Sequence, residues 1–162
     1  MVFIGSKENE METKIINLPL KTIAGIKNSS GVWDLPHTWE ALTTQLEEKN
    51  IVDSVSNFMT LLYHDETTKK HTYQFASFEV NTHSDNYYGF EKITIEDGLY
   101  AVTVHYGSCE EIGPVWDKWT ESWLGSSGWN RDYNRPNIEW YVNSTGLPTE
   151  MQLTYLCTPV KR

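Results

Sequence analysis

The chain has 162 residues, of which 39% are hydrophobic and 22% charged, so it can bury a core without disulfide bridges. Its formal net charge of −9 argues against direct binding to nucleic acid or to an anionic membrane surface. Two cysteines without metal-ligand spacing, no stretch of membrane-span length and no secretion signal predict a cytoplasmic protein with no metal and no cofactor.

The first elements are a leader, a strand and a helix. Residues 1–13 are polar and charged and predict a flexible leader ahead of one domain over residues 14–162. Alternating apolar residues predict a strand over Lys14–Lys27, with a break at Leu18-Pro19. Asp34 is a suitable N-cap for a helix that ends near Lys49.

A hairpin and a linker follow this helix. Phe58–Asp65 and His71–Val80 predict two strands joined by a polar loop, which complete a first module over residues 14–81. The turn-rich stretch over residues 82–98 predicts a linker that contains a short extra strand at Phe90–Ile95.

A second module over residues 99–160 repeats this order of strand, helix, strand and strand. Its helix begins either at Ser108, which forms a capping box with Glu111, or near Gly113, which precedes a proline. The other predicted elements are a strand over Leu99–Tyr106 and a hairpin over Pro136–Asn143 and Met151–Val160.

A shift of the sequence by 77 residues places one predicted helix on the other. The steps of four, three and four residues put each matched set on one face of a helix. In the strands, a shift of 78 matches Leu61 with Glu139 and Tyr63 with Tyr141. We therefore predict an α+β fold of two tandem strand-helix-strand-strand modules with pseudo-twofold symmetry, a mainly antiparallel sheet and a ligand groove between the halves. The matched helix positions are Leu35, Trp39, Leu42 and Leu46 with Ile112, Trp116, Trp119 and Trp123.

The second half carries an ordered set of motifs, at Gly98–Val102, Trp123–Trp129, Arg135–Tyr141 and Thr158–Val160. Over about Gly98 to Lys161 this set resembles the GyrI-like, AraC-type effector-binding domain family. The resemblance implies two modules around a central groove and recognition of small molecules, many of them amphipathic or cationic. It also implies that Glu139 contacts the ligand.

Relatives of that family occur alone, as drug-binding or gyrase-modulating proteins, or fused to helix-turn-helix regulators. Since the predicted modules leave no room for a DNA-binding domain, the resemblance implies a stand-alone bacterial protein with a role in transcription regulation. A protein partner is compatible with this role, as is a monomer or a homodimer.

The most informative position is Glu139, which shares a strand face with Tyr141. If the opposite face, with Ile138 and Trp140, packs on the helices, the carboxylate faces the groove among aromatic rings. There it is costly unless it is paired or protonated, and a bound cation would relieve the cost. The alternative is a solvent-facing carboxylate paired with Arg131 or Arg135. The remaining predicted ligand-binding residues are Trp119 and Trp39 as groove walls, and Tyr63 and Tyr106 as hydroxyl donors.

Three functions are compatible with these residues. The first is a binding protein for an apolar aromatic cation held by Trp and Tyr rings over Glu139. The second is a hydrolase of small reactive compounds, with Glu139 as general base and Tyr141 as proton donor. The third is an interaction module that modulates gyrase or another DNA-processing enzyme through its acidic surface. The five histidines show no metal-ligand spacing.

Overall fold

The computed structural model describes residues 12–28, 35–80, 86–143 and 148–162. The predicted N-cap Asp34 and residues 1–11 of the predicted leader lie outside these ranges. None of the described helices is long and apolar enough to cross a membrane. The helices are α1 (Leu35–Glu48) and α2 (Ile112–Trp119), and the strands are β1 (Lys14–Leu18), β2 (Lys21–Asn28), β3 (Ser56–His64), β4 (His71–Glu79), β5 (Asn86–Tyr87), β6 (Phe90–Ile95), β7 (Gly98–Tyr106), β8 (Asn130–Arg131), β9 (Asn137–Asn143) and β10 (Leu153–Lys161).

The start of α2 lies between the two predicted positions. Ser108 Oγ accepts a hydrogen bond from the Glu110 N–H at 3.1 Å and so caps a single 3₁₀ turn, after which the α-helix begins at Ile112. A π-helical turn over Thr120–Leu124 extends α2, and the chain leaves the helix at Gly128 with φ +81°.

The sheet is antiparallel in every pairing that the described residues make. Its order is β1-β7-β10-β9-β3-β4-β2-β6-β5, with β8 paired to β10. The two modules supply β7-β10-β9 and β3-β4-β2, which meet at β3 and β9. The two halves of this order mirror each other, so the predicted α+β fold with a pseudo-twofold arrangement is confirmed.

Two of the strands outside these six, β1 and β6, extend the sheet at its two ends. β1, which the sequence assigned to the first module, pairs with β7 of the second, and β6 from the predicted linker pairs with β2. Only residues 19–20 join β1 to β2, and only residues 96–97 join β6 to β7. Two such residues span roughly 10 Å at full extension, so the two ends of the sheet must curl toward each other.

The curled sheet buries a core on one face and carries both helices on the other. Ile95 of β6 and Tyr100 of β7 pack in the same cluster, although their strands lie near opposite ends of the sheet. On the other face α1 packs through Leu42 and Leu46 over the first module, and α2 packs through Ile112 and Trp119 over the second. The groove between the helices is therefore floored by β3 and β9.

The strand register corrects one sequence-based expectation, and the packing of the helices decides which face of β9 they cover, a question that the sequence left open. Leu61 pairs with Ile138 in the core face, whereas Glu139 pairs with Thr60 on the helix face. A shift of 78 therefore matches Leu61 to a residue on the opposite face, because strand side chains alternate with a period of two. The helices also pack on the Glu139 face and not on the face of Ile138 and Trp140.

Candidate ligand-binding groove

A cavity of about 380 Å³ lies between the first turns of the two helices, above β9. The helices approach it with their N-terminal ends, so side chains from both modules reach the same space. The lining residues are Leu35, Pro36 and Trp39 from α1, Cys109, Glu110, Ile112 and Gly113 from the start of α2, and Glu139 and Tyr141 from the floor.

Glu139 is only 5% exposed and uses both carboxylate oxygens. Trp116 Nε1 donates to Oε2 at 2.7 Å, and the Tyr141 hydroxyl donates to Oε1 at 2.8 Å. Among the described residues no lysine, arginine or histidine lies within ion-pair distance of this carboxylate. The predicted partners are engaged elsewhere, since Arg131 bonds to His64 and Arg135 to Asp132.

The environment of Glu139 favours its neutral form. Burial raises the pKa of Glu139 above its usual 4.5, while the hydrogen bonds from Tyr141 and Trp116 and a weaker attraction to His105 lower it. The site thus holds a carboxylate that is oriented by two donors and has no opposite charge of the described residues within ion-pair distance. A ligand that brings a positive charge would supply the missing partner.

A chain of hydrogen bonds joins the two helices beneath the cavity. Trp39 Nε1 donates to Thr60 Oγ1 at 2.9 Å, and Thr60 Oγ1 lies 2.5 Å from the Tyr141 hydroxyl. Because an indole N–H only donates, an ionised Glu139 fixes the direction of the whole chain: Trp39 to Thr60, Thr60 to Tyr141, and Tyr141 to Glu139. We call these four residues and Trp116 the bridging network.

Three of the six predicted ligand-binding residues meet in the cavity. Glu139 and Tyr141 form its floor, and Trp39 forms a wall on the α1 side. The Trp39 ring meets the Tyr141 ring edge-on at 5.6 Å between centroids. The structure brings these three side chains together; their contact with a ligand stays a prediction.

The other three residues lie elsewhere. Trp119 is 2% exposed, packs in the core under α2, and donates through Nε1 to Thr13 Oγ1 at 2.8 Å, so it is no groove wall. Tyr63 packs on the opposite face of the sheet, stacked on Tyr73 at 4.4 Å. Tyr106 is 55% exposed near the end of β7. These three residues were assigned to the groove from helix and strand periodicity. Periodicity shows which residues share a face, but not which of them border the groove.

Sequence reasoning missed Trp116 and Thr60 as parts of the site. Trp116 orients Glu139, and Thr60 lies directly opposite Glu139 in the sheet and links Tyr141 to Trp39. The signal for Trp116 was present, because the shift of 77 residues matches it with Trp39. Each helix thus uses the tryptophan at the same repeat position to donate to the groove floor.

A family comparison matches residues 11–161 to the GyrI-like small molecule binding domain. The chain belongs to the GyrI-like family of small-molecule binding domains. This confirms the family resemblance and the small-molecule binding predicted from the sequence. A search of curated proteins found no match.

Solved structures of other proteins share this fold. The EcmrR C-terminal domain aligns with a TM-score of 0.70 at 12% identity, covering 94% of this chain and 98% of that domain. SAV2435 bound to tetraphenylphosphonium aligns at 0.68 and 15% identity, covering 93% and 94%. A hydrolase from Listeria innocua aligns at 0.60 and 11% identity, covering 94% and 93%. The chain spans 57% of EcmrR as it occurs in an EcmrR–DNA complex.

Proposed function

We propose that this GyrI-like domain binds an apolar aromatic cation in the groove, with Glu139 as the counter-charge and the rings of Trp39 and Tyr141 as walls. The observation that carries this proposal is the buried Glu139 carboxylate, which has two hydrogen-bond donors and no cationic partner among the described residues. A neighbour of the same fold, SAV2435, was solved with tetraphenylphosphonium, a cation without hydrogen-bond donors.

The size and surface of the cavity suit such a ligand. Its volume of about 380 Å³ falls in the range of roughly 300–1,000 Å³ found for small-molecule pockets. A desolvated cation over an aromatic ring gains on the order of 1–2 kcal/mol beyond its attraction to a carboxylate. Trp39 and Tyr141 can contribute this gain because both rings border the cavity.

Tetraphenylphosphonium and tetraphenylborate test the role of the charge, since they match in size and carry opposite charges. We expect saturable binding of the cation by calorimetry and a loss of about tenfold or more in Glu139→Gln, because a buried charge pair is lost. Glu110→Gln is the control, as Glu110 borders the same cavity but is exposed. Unchanged affinity in Glu139→Gln, or equal binding of the borate, would refute the proposal.

We further infer that ligand binding serves transcription regulation in a bacterial cytoplasm. The shared fold with the C-terminal domain of EcmrR, a protein solved in complex with DNA, supports this inference. Since the net charge of −9 opposes direct contact with DNA, a protein partner would carry the signal. Sedimentation velocity with and without tetraphenylphosphonium distinguishes a monomer from a homodimer and shows whether the ligand changes this state.

Hydrolysis is the second candidate, because a carboxylate with a raised pKa in a cavity can take a proton from water. Tyr141 is a poor proton donor for this reaction, since burial and the nearby Glu139 raise its pKa well above 10. Turnover of small epoxides or esters that disappears in Glu139→Gln but persists in Glu110→Gln would support an enzyme. Binding of tetraphenylphosphonium without turnover of any such compound would refute hydrolysis and support the binding function.

A further inference from the structure

A second cavity, of about 680 Å³, lies on the other side of the first turns of α2. Gly113 borders both cavities, and the Trp116 side chain, which bonds to Glu139, borders the second one. Its wall opposite α2 is built from polar side chains of β3, β4, the loop between them, the segment around β8, and the start of β9. These are His64, Lys69, His71, Arg131, Tyr133 and Asn137.

Arg131 carries a positive charge in this wall without an acid to balance it. Its Nη2 donates to His64 Nδ1 at 2.7 Å, but its Nε is buried and has no hydrogen-bond partner. No carboxylate of the described residues lies within ion-pair distance of the guanidinium. A guanidinium taken out of water in this way is costly unless an oxyanion completes its hydrogen bonds.

Lys69 adds a second charge at the same wall. Its ammonium lies 4.4 Å from the centre of the Tyr133 ring, and the Arg131 guanidinium carbon lies 4.5 Å from the same centre. The turn before β4 fixes the Lys69 backbone at φ +63°, where its N–H donates to the Asp65 carbonyl at 2.8 Å. Two cations therefore converge on one ring beside the cavity, in a protein whose net charge is negative.

The two histidines of the wall are neutral neighbours of these charges. The rings of His64 and His71 lie 4.1 Å apart. Burial, Arg131 and His71 lower the pKa of His64 to about 3, and burial and Arg131 also lower that of His71, against a raising effect of Asp117. The imidazoles thus supply polar groups without adding to the positive charge near neutrality.

The α2 side of the cavity limits how much negative charge a ligand can bring. Asp117 and Glu121 line it, and both are exposed. Water screens these carboxylates more than it screens the partly buried Arg131. A single negative charge is therefore favoured over a dianion. The Asn137 amide, whose buried Oδ1 has no partner, can turn its NH₂ group toward such a ligand.

We propose that the second cavity binds the carboxylate of a small organic acid, with Arg131 as its main charge partner and Lys69 as the second. This site is separate from the Glu139 pocket. It would bind an anion, which the Glu139 carboxylate would repel. Its occupancy does not depend on whether the Glu139 pocket binds a cation.

Benzoate is a suitable probe, with inorganic phosphate and chloride compared at equal ionic strength. Calorimetry and the imidazole resonances of His64 and His71 report binding at this wall. We expect saturable benzoate binding that weakens about tenfold or more in Arg131→Gln and a few-fold in Lys69→Gln. Lys70→Gln, one residue further along the same loop, should bind benzoate like the wild type.

Two kinds of result would overturn the proposal. The first is benzoate binding that does not saturate, or that is the same in Lys69→Gln and Arg131→Gln as in the unaltered chain. Since Lys69 is exposed, its variant keeps the test valid even where Arg131→Gln fails to fold. The second is tighter binding of phosphate than of benzoate, which would refute the preference for a single charge.

Discussion

At the scale of single residues, Glu139 opposes the stability of the fold that carries it. Its pKa is raised by burial, so the folded chain binds a proton at this site more tightly than the unfolded chain does. The contribution of Glu139 to stability is therefore most favourable below its usual pKa of 4.5 and becomes less favourable as the pH rises through the raised value.

We expect Glu139→Gln to stabilise the chain without ligand by about 1 kcal/mol at neutral pH. The amide can keep every bond of the bridging network, since its oxygen accepts from Trp116 and its NH₂ donates to Tyr141, whose proton then turns to Thr60. Urea unfolding of both proteins over a range of pH checks this. The gain in the free energy of unfolding should grow with pH. A gain that shrinks with pH would contradict the raised pKa of Glu139.

Tyr141 affects the pKa of the same carboxylate. Its hydrogen bond lowers the pKa of Glu139, so Tyr141→Phe should raise that pKa further. Because a cation needs the ionised carboxylate, its affinity falls as the pH drops through this pKa, and the midpoint should move to higher pH in the variant. Tetraphenylphosphonium titrations between about pH 4 and 9 measure the midpoint. Tyr106→Phe, on an exposed tyrosine, should leave it unchanged.

At the scale of elements, local patterns predicted most of the strands and both helices. The break at Leu18-Pro19 separates β1 from β2, and α1 ends one residue before the predicted Lys49. The partner of β1 could not be predicted, because a strand that pairs with β7 and one that pairs with β2 have the same alternation. The same limit applies to Trp116 and Trp119, which share a helix face. Only packing shows that the first reaches the floor of the groove.

These two tryptophans allow a matched test, since each loses one indole hydrogen bond when replaced by Phe. Trp116→Phe removes a donor to Glu139 and should weaken binding of tetraphenylphosphonium at neutral pH several-fold. Trp119→Phe removes the bond to Thr13 and a buried ring, and should lower the free energy of unfolding by about 1–2 kcal/mol with little change in binding. Equal losses of binding in both variants would contradict the corrected position of Trp119.

At the scale of the whole molecule, a symmetric scaffold encloses an asymmetric site. The six central strands and the two helices follow the repeat, yet the paired residues at the centre of the floor are Thr60 and Glu139. The sequence repeat predicted the scaffold and the groove. It did not predict this pair, because the strand register depends on how the two modules meet and not on either module alone. At the centre of the floor a ligand therefore faces a carboxylate from one module and a hydroxyl from the other.

Gly113 borders both cavities of this scaffold, so substitutions at this one position test the two sites together. A Cβ atom built at Gly113 meets no atom within 4 Å outside its chain neighbours and the backbone of its own helix. Because Pro114 follows and its Cδ crowds a preceding Cβ, the helix gain of Gly113→Ala is offset, and we expect the free energy of unfolding to change by less than about 1 kcal/mol. We expect the larger side chain of Gly113→Leu to crowd both cavities and to weaken binding of tetraphenylphosphonium and of benzoate at once. Calorimetry with each ligand on both variants checks this. If Gly113→Leu blocks one ligand and leaves the other unaffected, the two sites do not meet at the first turn of α2.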